Sequence, residues 1–292
     1  MVQIGINNAY DMRCFSDSEM LPVLSGLGFN TLQYSLSAAC GAEGIFSRPG
    51  WREHFTKVRR VADDCGLSVE MTHPRIYHCI EAYRDSPVQS EMQERCFEAT
   101  AILGGKWTVI HPQFWRDGVT EASYNEVVLY NRAYLSELCA RAERYGVGVA
   151  FENIQKYDDM PDNRVLRYGW SAEHILDTVE KCGKSNVCAC VDTGHANIAG
   201  EDPAAFIRAC GHRVRCLHLH DNDGASDQHS LPYMAGIRWD EVLSALSEIN
   251  YQGVLNLETN TIFLPDKALV KSAFTLACRI AAHMANSIVT IG

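Results

Sequence analysis

Short apolar runs and longer amphipathic segments alternate eight times along this chain, and no other feature of the sequence limits the possible folds as strongly. Apolar runs of roughly four to eight residues bounded by turn signals are typical of buried strands, whereas helical patterns are longer. The runs predict strands at residues 2–7, 31–36, 67–73, 106–111, 148–152, 187–192, 214–220 and 254–258. The other segments predict helices at residues 18–27, 51–65, 89–103, 123–145, 172–182, 203–210, 239–249 and 266–285.

Strands that alternate with helices indicate a parallel sheet. Eight such units in 292 residues favour an α/β fold with a single (β/α)₈ TIM barrel, in which residues 1–292 form one domain. A doubly wound sheet is the alternative, and it usually carries a G-x-G-x-x-G phosphate-binding turn after its first strand. The residues at that point are Asn7, Asn8, Ala9 and Tyr10, so we predict the barrel.

Charge and composition disfavour several classes of function. The formal net charge is −10 and no basic cluster is larger than Arg59-Arg60, so nucleic acid is disfavoured as a partner. No stretch approaches the roughly 20 apolar residues of a membrane span, and the first residues lack the pattern of a secretion signal. The twelve cysteines occur singly, which predicts reduced thiols in a cytoplasmic protein. Cys188 and Cys190 lie within a strand, which favours packing over metal ligation.

Ionisable residues stand at or just beyond the ends of the predicted strands. They are His73, His111, Glu152, Asp192, His218 and Glu258, followed by His195, Asp227 and His229 slightly further along the loops. The carboxyl ends of barrel strands meet at one face of the fold, where catalytic residues collect. Because His, Asp and Glu are side chains that divalent cations use, the sequence predicts a metal site at this face. The identity of the ion stays open among Zn, Mn, Co and Mg.

Strand parity supports this prediction. Side chains alternate between the two faces of a strand, so Cys216 and His220 share a face with His218, whereas Leu217 and Leu219 lie on the other. This pattern places small or polar side chains inside the barrel and aliphatic ones against the helices.

Four of the strand-end residues carry the metal prediction most strongly: Glu152, Asp192, His218 and Glu258. Four isolated ionisable groups would be costly to bury, and a shared cation would remove that cost. His73 and His111 are each as compatible with a hydrogen-bonded core histidine as with a metal contact.

Four short motifs, in order along the chain, resemble the sugar phosphate isomerase/epimerase superfamily with its xylose isomerase-like barrel. The motifs are Val149-Ala-Phe-Glu152-Asn, Val191-Asp192-Thr-Gly-His195-Ala-Asn, Leu217-His218-Leu-His-Asp221-Asn and Leu257-Glu258. In ketose 3-epimerases of that group, a Glu, an Asp, a His and a Glu on four successive strands hold one divalent metal ion. The resemblance implies that Glu152, Asp192, His218 and Glu258 are the metal ligands and that Glu152 and Glu258 exchange protons with a small sugar or sugar phosphate. It also implies a dimer or tetramer.

The same superfamily contains endonuclease IV-type AP endonucleases, which hold three zinc ions. Their ligand set would map onto all nine polar positions, including His73, His111, His195, Asp227 and His229, so a multi-zinc phosphoesterase stays open. A metal-dependent dehydratase of a polyol or keto-acid is a further alternative. The chain departs from the epimerases at Gly224, where they usually carry an arginine, and at residues 231–236, where many members have a Pro-Gly-Glu-Gly loop.

Overall fold

Eight parallel strands form the centre of the fold in a computed structural model that describes residues 2–8, 15–41, 43–75, 79–83, 86–157, 165–259, 264 and 266–289. The strands are β1 (Gln3–Asn7), β2 (Thr31–Ser35), β3 (Ser68–His73), β4 (Trp107–Ile110), β5 (Gly148–Glu152), β6 (Val187–Asp192), β7 (Val214–His218) and β8 (Val254–Leu257). Their order in the sheet is β7-β6-β5-β4-β3-β2-β1-β8. Strands β1 to β6 are therefore each hydrogen-bonded to the next strand in the chain, and β1 also pairs with β8.

Helices follow the strands and surround the sheet. They are α1 (Asp17–Leu27), α2 (Trp51–Asp64), α3 (Ile80–Tyr83), α4 (Pro87–Leu103), α5 (Tyr124–Glu143), α6 (Ala172–Lys181), α7 (Thr193–Ile198), α8 (Pro203–Cys210), α9 (Trp239–Glu248) and α10 (Lys267–Ser287). Local sequence determines several of their starts. Helix α8, for example, begins with a proline after Asp202, whose carboxylate accepts a hydrogen bond from Ala204 N at 3.0 Å.

The sheet closes between β7 and β8, just beyond the end of β7. Leu219 N donates to Asn256 O at 2.9 Å, and Glu258 N donates to Leu219 O at 3.1 Å. These bonds join the two ends of the strand order, so the sheet is a nearly closed barrel. The prediction of a (β/α)₈ barrel is confirmed.

Aliphatic side chains of the strands pack outwards against the helices, as parity predicts, and Leu217 and Leu257 belong to this outer core. A separate group fills the barrel interior and includes Cys188, Cys190 and Cys216. No disulfide joins any of the described cysteines.

All of the predicted strands and helices are present, with boundaries within two residues of the prediction. The structure adds α3 and α7, which the sequence did not predict. Thr193 and Gly194 begin α7, and the Asp192 carboxylate caps the helix by accepting a hydrogen bond from His195 N at 2.7 Å. Among the described residues, no helix is both long and apolar enough to cross a membrane.

Candidate metal centre

The nine predicted site residues all lie at the carboxyl ends of the strands. Four end a strand and two directly follow one, while His195 lies in α7 and Asp227 and His229 lie in the loop between β7 and α9. Seven of the nine are buried, and the side chains of Asp227 and His229 are only 21% and 11% exposed. The structure therefore brings all nine residues to one end of the barrel.

The first group consists of Glu152, Asp192, His218 and Glu258, each of which offers one ligand atom within 4.8 Å of the others. The Nδ1 atom of His218 lies 2.7 Å from Glu152 Oε1, 2.9 Å from Glu258 Oε2 and 3.9 Å from Asp192 Oδ2. This nitrogen faces three carboxylates from three other strands or strand ends, which is a suitable arrangement for one small cation.

The orientation of His218 depends on two amides that the sequence analysis did not select. The Oε1 atom of Gln33 on β2 lies 2.6 Å from His218 Nε2 and accepts a second hydrogen bond from Asn256 Nδ2 at 3.0 Å. An amide oxygen can only accept, so Nε2 must donate, and a neutral His218 keeps its lone pair on Nδ1. On the other side of the group, Asn7 Nδ2 donates to Glu258 Oε1 at 2.6 Å. Hydrogen bonds of this kind orient metal ligands.

Glu152 connects the first group to His73 and His111. His111 Nε2 lies 2.8 Å from Glu152 Oε2, and His73 Nε2 lies 3.4 Å from the same oxygen. The two histidine Nε2 atoms are themselves 3.2 Å apart. Glu152 thus presents one oxygen to His218 and the other to these two histidines, and His73, Glu152 and His218 could hold a metal ion as a separate set.

A third group contains His195, His220, Asp227 and His229. Asp227 Oδ2 lies 3.2 Å from His229 Nε2 and 3.5 Å from His195 Nε2. The rings of His220 and His229 stack with centroids 4.0 Å apart. His220 was not among the predicted site residues, although it shares the inward parity of His218.

His220 also links the third group to the first. Its Nε2 atom lies 3.0 Å from Asp192 Oδ1 and 3.1 Å from Asp192 Oδ2. The loop that carries the third group is held by buried Asp221, whose carboxylate accepts hydrogen bonds from Ala235 N, Ile237 N and Trp239 Nε1 at 2.9–3.1 Å. His229 has a left-handed backbone with φ of 48°, a conformation that non-glycine residues adopt rarely and often at functional sites.

Electrostatics favour a cation at this end of the barrel. Burial raises the pKa of Glu152, but the charges of His218 and His111 outweigh it and hold the pKa well below its ordinary value. Burial likewise raises the pKa of Glu258, and His218 lowers it below the ordinary value. Both carboxylates are therefore ionised at neutral pH. In the part of the chain that the structure describes, their ion-pair partners are all histidines.

Burial lowers the pKa of His229, but Asp227 and Glu258 raise it to about 9. The raised pKa means that the surrounding carboxylates stabilise the protonated, positively charged form of the histidine. A divalent ion would supply that charge in place of protons. The donor set contains imidazole nitrogens and carboxylate oxygens without any cysteine, so it fits Zn, Mn or Co, and the residues present fit a metal site.

The family model for the xylose isomerase-like TIM barrel matches residues 34–276 of this chain. The chain belongs to this family. The model covers six of the eight strands in whole and the end of β2, together with all nine predicted site residues.

Several known proteins are similar to this family member. An uncharacterized protein of Methanocaldococcus jannaschii is 34% identical over 172 residues, covering 56% of this chain and 54% of the relative. The D-psicose 3-epimerase of Enterocloster bolteae is 32% identical over 124 residues, covering 42% of this chain and 37% of the relative. The chain therefore spans about half the length, or less, of these curated relatives. Among solved structures, the IolI protein with a bound zinc atom has a TM-score of 0.79 at 15% identity, covering 99% of this chain and 100% of IolI, which shows the shared fold.

This member of the xylose isomerase-like family has an arginine near the site that comes from a different loop than expected. Gly224 is exposed. Arg167, in the loop between β5 and α6, donates from Nη1 to Gln155 Oε1 at 2.8 Å, and Gln155 Nε2 donates to Asp227 Oδ2 at 2.9 Å. A guanidinium therefore reaches the third group through one intervening side chain.

Proposed function

We propose that this chain is a divalent-metal-dependent epimerase or isomerase of a sugar, ketose or sugar phosphate. The observation that carries the proposal is the convergence of Glu152, Asp192, His218 and Glu258 at one end of the barrel, with ligand atoms within 4.8 Å of one another. Similarity to a D-psicose 3-epimerase over 42% of the chain supports this class of substrate. Because one fold can carry many activities, the proposal depends on the residues of the site rather than on the barrel itself.

A bound divalent ion would polarise a substrate carbonyl and the neighbouring hydroxyl, which acidifies the C–H bond between them and favours an enediolate. Glu152 and Glu258 are the proposed acid–base pair. They extend from the ends of β5 and β8. An ionised carboxylate can remove the proton, and a glutamate can return one only when it is protonated, so the proton comes back either from the same residue or from the other glutamate after it has taken up a proton from solvent. Asp192 and His218 would complete the set of ligands.

The other neighbours hold these groups in place. Asn7 binds Glu258 Oε1 at 2.6 Å, which leaves Oε2 directed at His218. Gln33 fixes the ring of His218 in the same way. Arg167 is a candidate for contact with substrate hydroxyls or a phosphate, because its loop lies beside the third group.

The test is proton exchange. Ketoses and their phosphates are incubated with the metal-loaded protein in deuterated water, and incorporation of deuterium next to the carbonyl is followed by NMR. Glu152→Gln and Glu258→Gln should each lower the rate by at least about 100-fold, since general acid–base catalysis contributes about 10² to 10⁴. Glu173→Gln, at an exposed position on α6, is the matched control and should keep full activity. Full activity in either site variant would contradict the assignment.

A multi-zinc phosphoesterase is the second candidate function. The observation in its favour is that His73, His111 and the third group lie against the first group, although a single ion needs only four ligands. Metal analysis separates the two functions: three tightly bound zinc ions per chain with cleavage of abasic DNA would favour the phosphoesterase. The net charge of −10 weighs against DNA, because phosphate contacts require lysine and arginine.

A further inference from the structure

A cavity lies at the end of the barrel where the strands begin, opposite the candidate metal centre. Its volume is about 470 Å³, which falls within the range of small-molecule sites. Its lining comes from the first residues of several strands, including Trp107 on β4, Val187 on β6 and Arg215 on β7. Arg215 is three positions before His218 on β7, which places the cavity about 10 Å below the candidate metal centre along the strand.

The cavity is positively charged, although the chain as a whole has a net charge of −10. Lys106, Arg213 and Arg215 line it together with a single carboxylate, that of Glu70. His212 also lines it and would add charge when protonated. With His212 neutral, three cations and one anion leave a net charge of +2.

These cations are poorly paired. Lys106 Nζ lies 3.2 Å from Glu70, which neutralises one positive charge. Arg213 Nε approaches Glu180 only to 3.9 Å and has no hydrogen-bond partner despite being buried. The side chain of Arg215 makes no ion pair or hydrogen bond with any residue in the described ranges. Both guanidinium groups line the cavity and are accessible to solvent, so their donors are available to a bound anion.

The arrangement differs from that of the arginines that join helices. Arginines that brace helices elsewhere in the chain have close carboxylate partners, such as Asp177 at 2.9 Å from Arg132 and Glu248 at 2.7 Å from Arg208. Clustered cations that lack such partners repel one another and destabilise the folded state. A bound anion would relieve the repulsion and satisfy the open donors.

The floor of the cavity is apolar. Trp107 packs on the group that fills the barrel interior and closes the lower end of the barrel. Gly148 on β5 leaves room for this ring, because a side chain at that position would overlap it. Val187 also lines the cavity. A ligand can therefore bury an apolar body against the floor while its anionic group meets the cations.

We propose that this cavity binds a small organic phosphate, with the phosphate between Arg213 and Arg215 and the organic part against Trp107. Inorganic phosphate alone would leave most of the volume empty, since 470 Å³ corresponds to roughly 15 water molecules at about 30 Å³ each. The proposal does not rest on the proposed function, because the cavity shares no residue with the metal centre.

The experiment is isothermal titration calorimetry of the full chain at low ionic strength. The probes are AMP and ribose 5-phosphate, with adenosine and ribose as their uncharged counterparts and inorganic phosphate as the smallest anion. Arg215→Ala is the test variant, because its side chain makes no contact whose loss would unfold the protein. Arg60→Ala, an exposed arginine on α2 that lies outside the cavity, is the matched control. Glu152→Gln reports on binding at the other end of the barrel.

We expect AMP or ribose 5-phosphate to bind with a Kd below about 1 mM and at least tenfold more tightly than its uncharged counterpart. Arg215→Ala should weaken that binding at least tenfold, whereas Arg60→Ala and Glu152→Gln should not change it. The proposal is overturned if neither phosphate binds, if Arg215→Ala binds as well as the parent, or if Glu152→Gln abolishes binding. Inorganic phosphate that binds as tightly as the organic phosphates would refute the role of the apolar floor.

Discussion

The replacement Gly194→Ala tests how tightly the candidate metal centre is packed. Gly194 lies in α7, directly beneath the ring of His220. A Cβ atom at this position would lie 2.5 Å from His220 Nε2 and nearer still to Cε1. Ordinary contacts between non-bonded carbon atoms are about 3.5–4.0 Å, so the ring would have to retreat by more than about 1 Å. His220 is fully buried and stacked on His229, so no free space is adjacent on that side.

The size of the effect follows from the contacts of His220. Overpacking a well-filled site costs about 1–3 kcal/mol. Displacing the ring also breaks its hydrogen bond to buried Asp192, which costs about 1–3 kcal/mol more. Alanine is the better helix former and returns up to about 1 kcal/mol. The expected net loss of unfolding free energy is about 1–6 kcal/mol, or a fall in Tm of about 2–12 °C at about 2 °C per kcal/mol.

Gly26→Ala is the matched control. Gly26 also lies in a helix, α1, but apart from the adjacent backbone of that helix and its chain neighbours no atom lies within 4 Å of the position its Cβ would take. Helix propensity alone predicts that both replacements stabilise the protein. Because only the Cβ at position 194 overlaps a neighbour, the two variants should move Tm in opposite directions. Thermal unfolding by circular dichroism measures both. A Gly194→Ala protein as stable as Gly26→Ala would refute the packing argument.

Three further predictions concern the hydrogen bonds around the metal centre and the metal itself. Gln33→Leu should weaken metal affinity by about 10- to 100-fold in a chelator competition, because it releases the ring of His218; Thr31→Val on the same strand is the control and should bind metal normally. Asp221→Ala should lower the unfolding free energy by about 3 kcal/mol or more, since three buried donors lose their acceptor. Amide hydrogen exchange should then become faster across residues 222–237, and unchanged exchange there would contradict this role of Asp221. Removal of metal with EDTA should lower Tm, because a ligand at 100 times its Kd contributes about 2.7 kcal/mol, and equal Tm values with and without chelator would exclude tight metal binding.

The order of strands and helices could be predicted because each element has a recognisable pattern within its own short stretch of sequence. A strand in a parallel sheet is covered on both faces and reads as a short apolar run, whereas the surrounding helices show the longer period of one buried face. The polar residue that ends each run was equally visible, which is why Glu152, Asp192 and His218 could be predicted as neighbours. In a barrel, the ends of all strands meet at one face whatever the details of packing.

The supporting residues were much harder to predict. Asn7, Gln33 and Asn256 lie within strands and look like isolated polar residues in apolar runs, yet they are buried and bind Glu258 or His218, or brace one another. Gln33 and His218 are 185 residues apart in the chain. Only closure of the barrel brings their strands within reach, so no local pattern identifies the pair.

The sequence by itself determined the eightfold alternation and the set of ionisable groups at one end of the strands, because both depend on short stretches of chain. The tertiary structure decided which of those groups touch. It placed His220 against Asp192, divided the histidines into overlapping groups, and gathered Lys106, Arg213 and Arg215 around a cavity at the other end. Such contacts depend on the twist and closure of the whole barrel, because side chains from distant strands meet only when the sheet returns on itself.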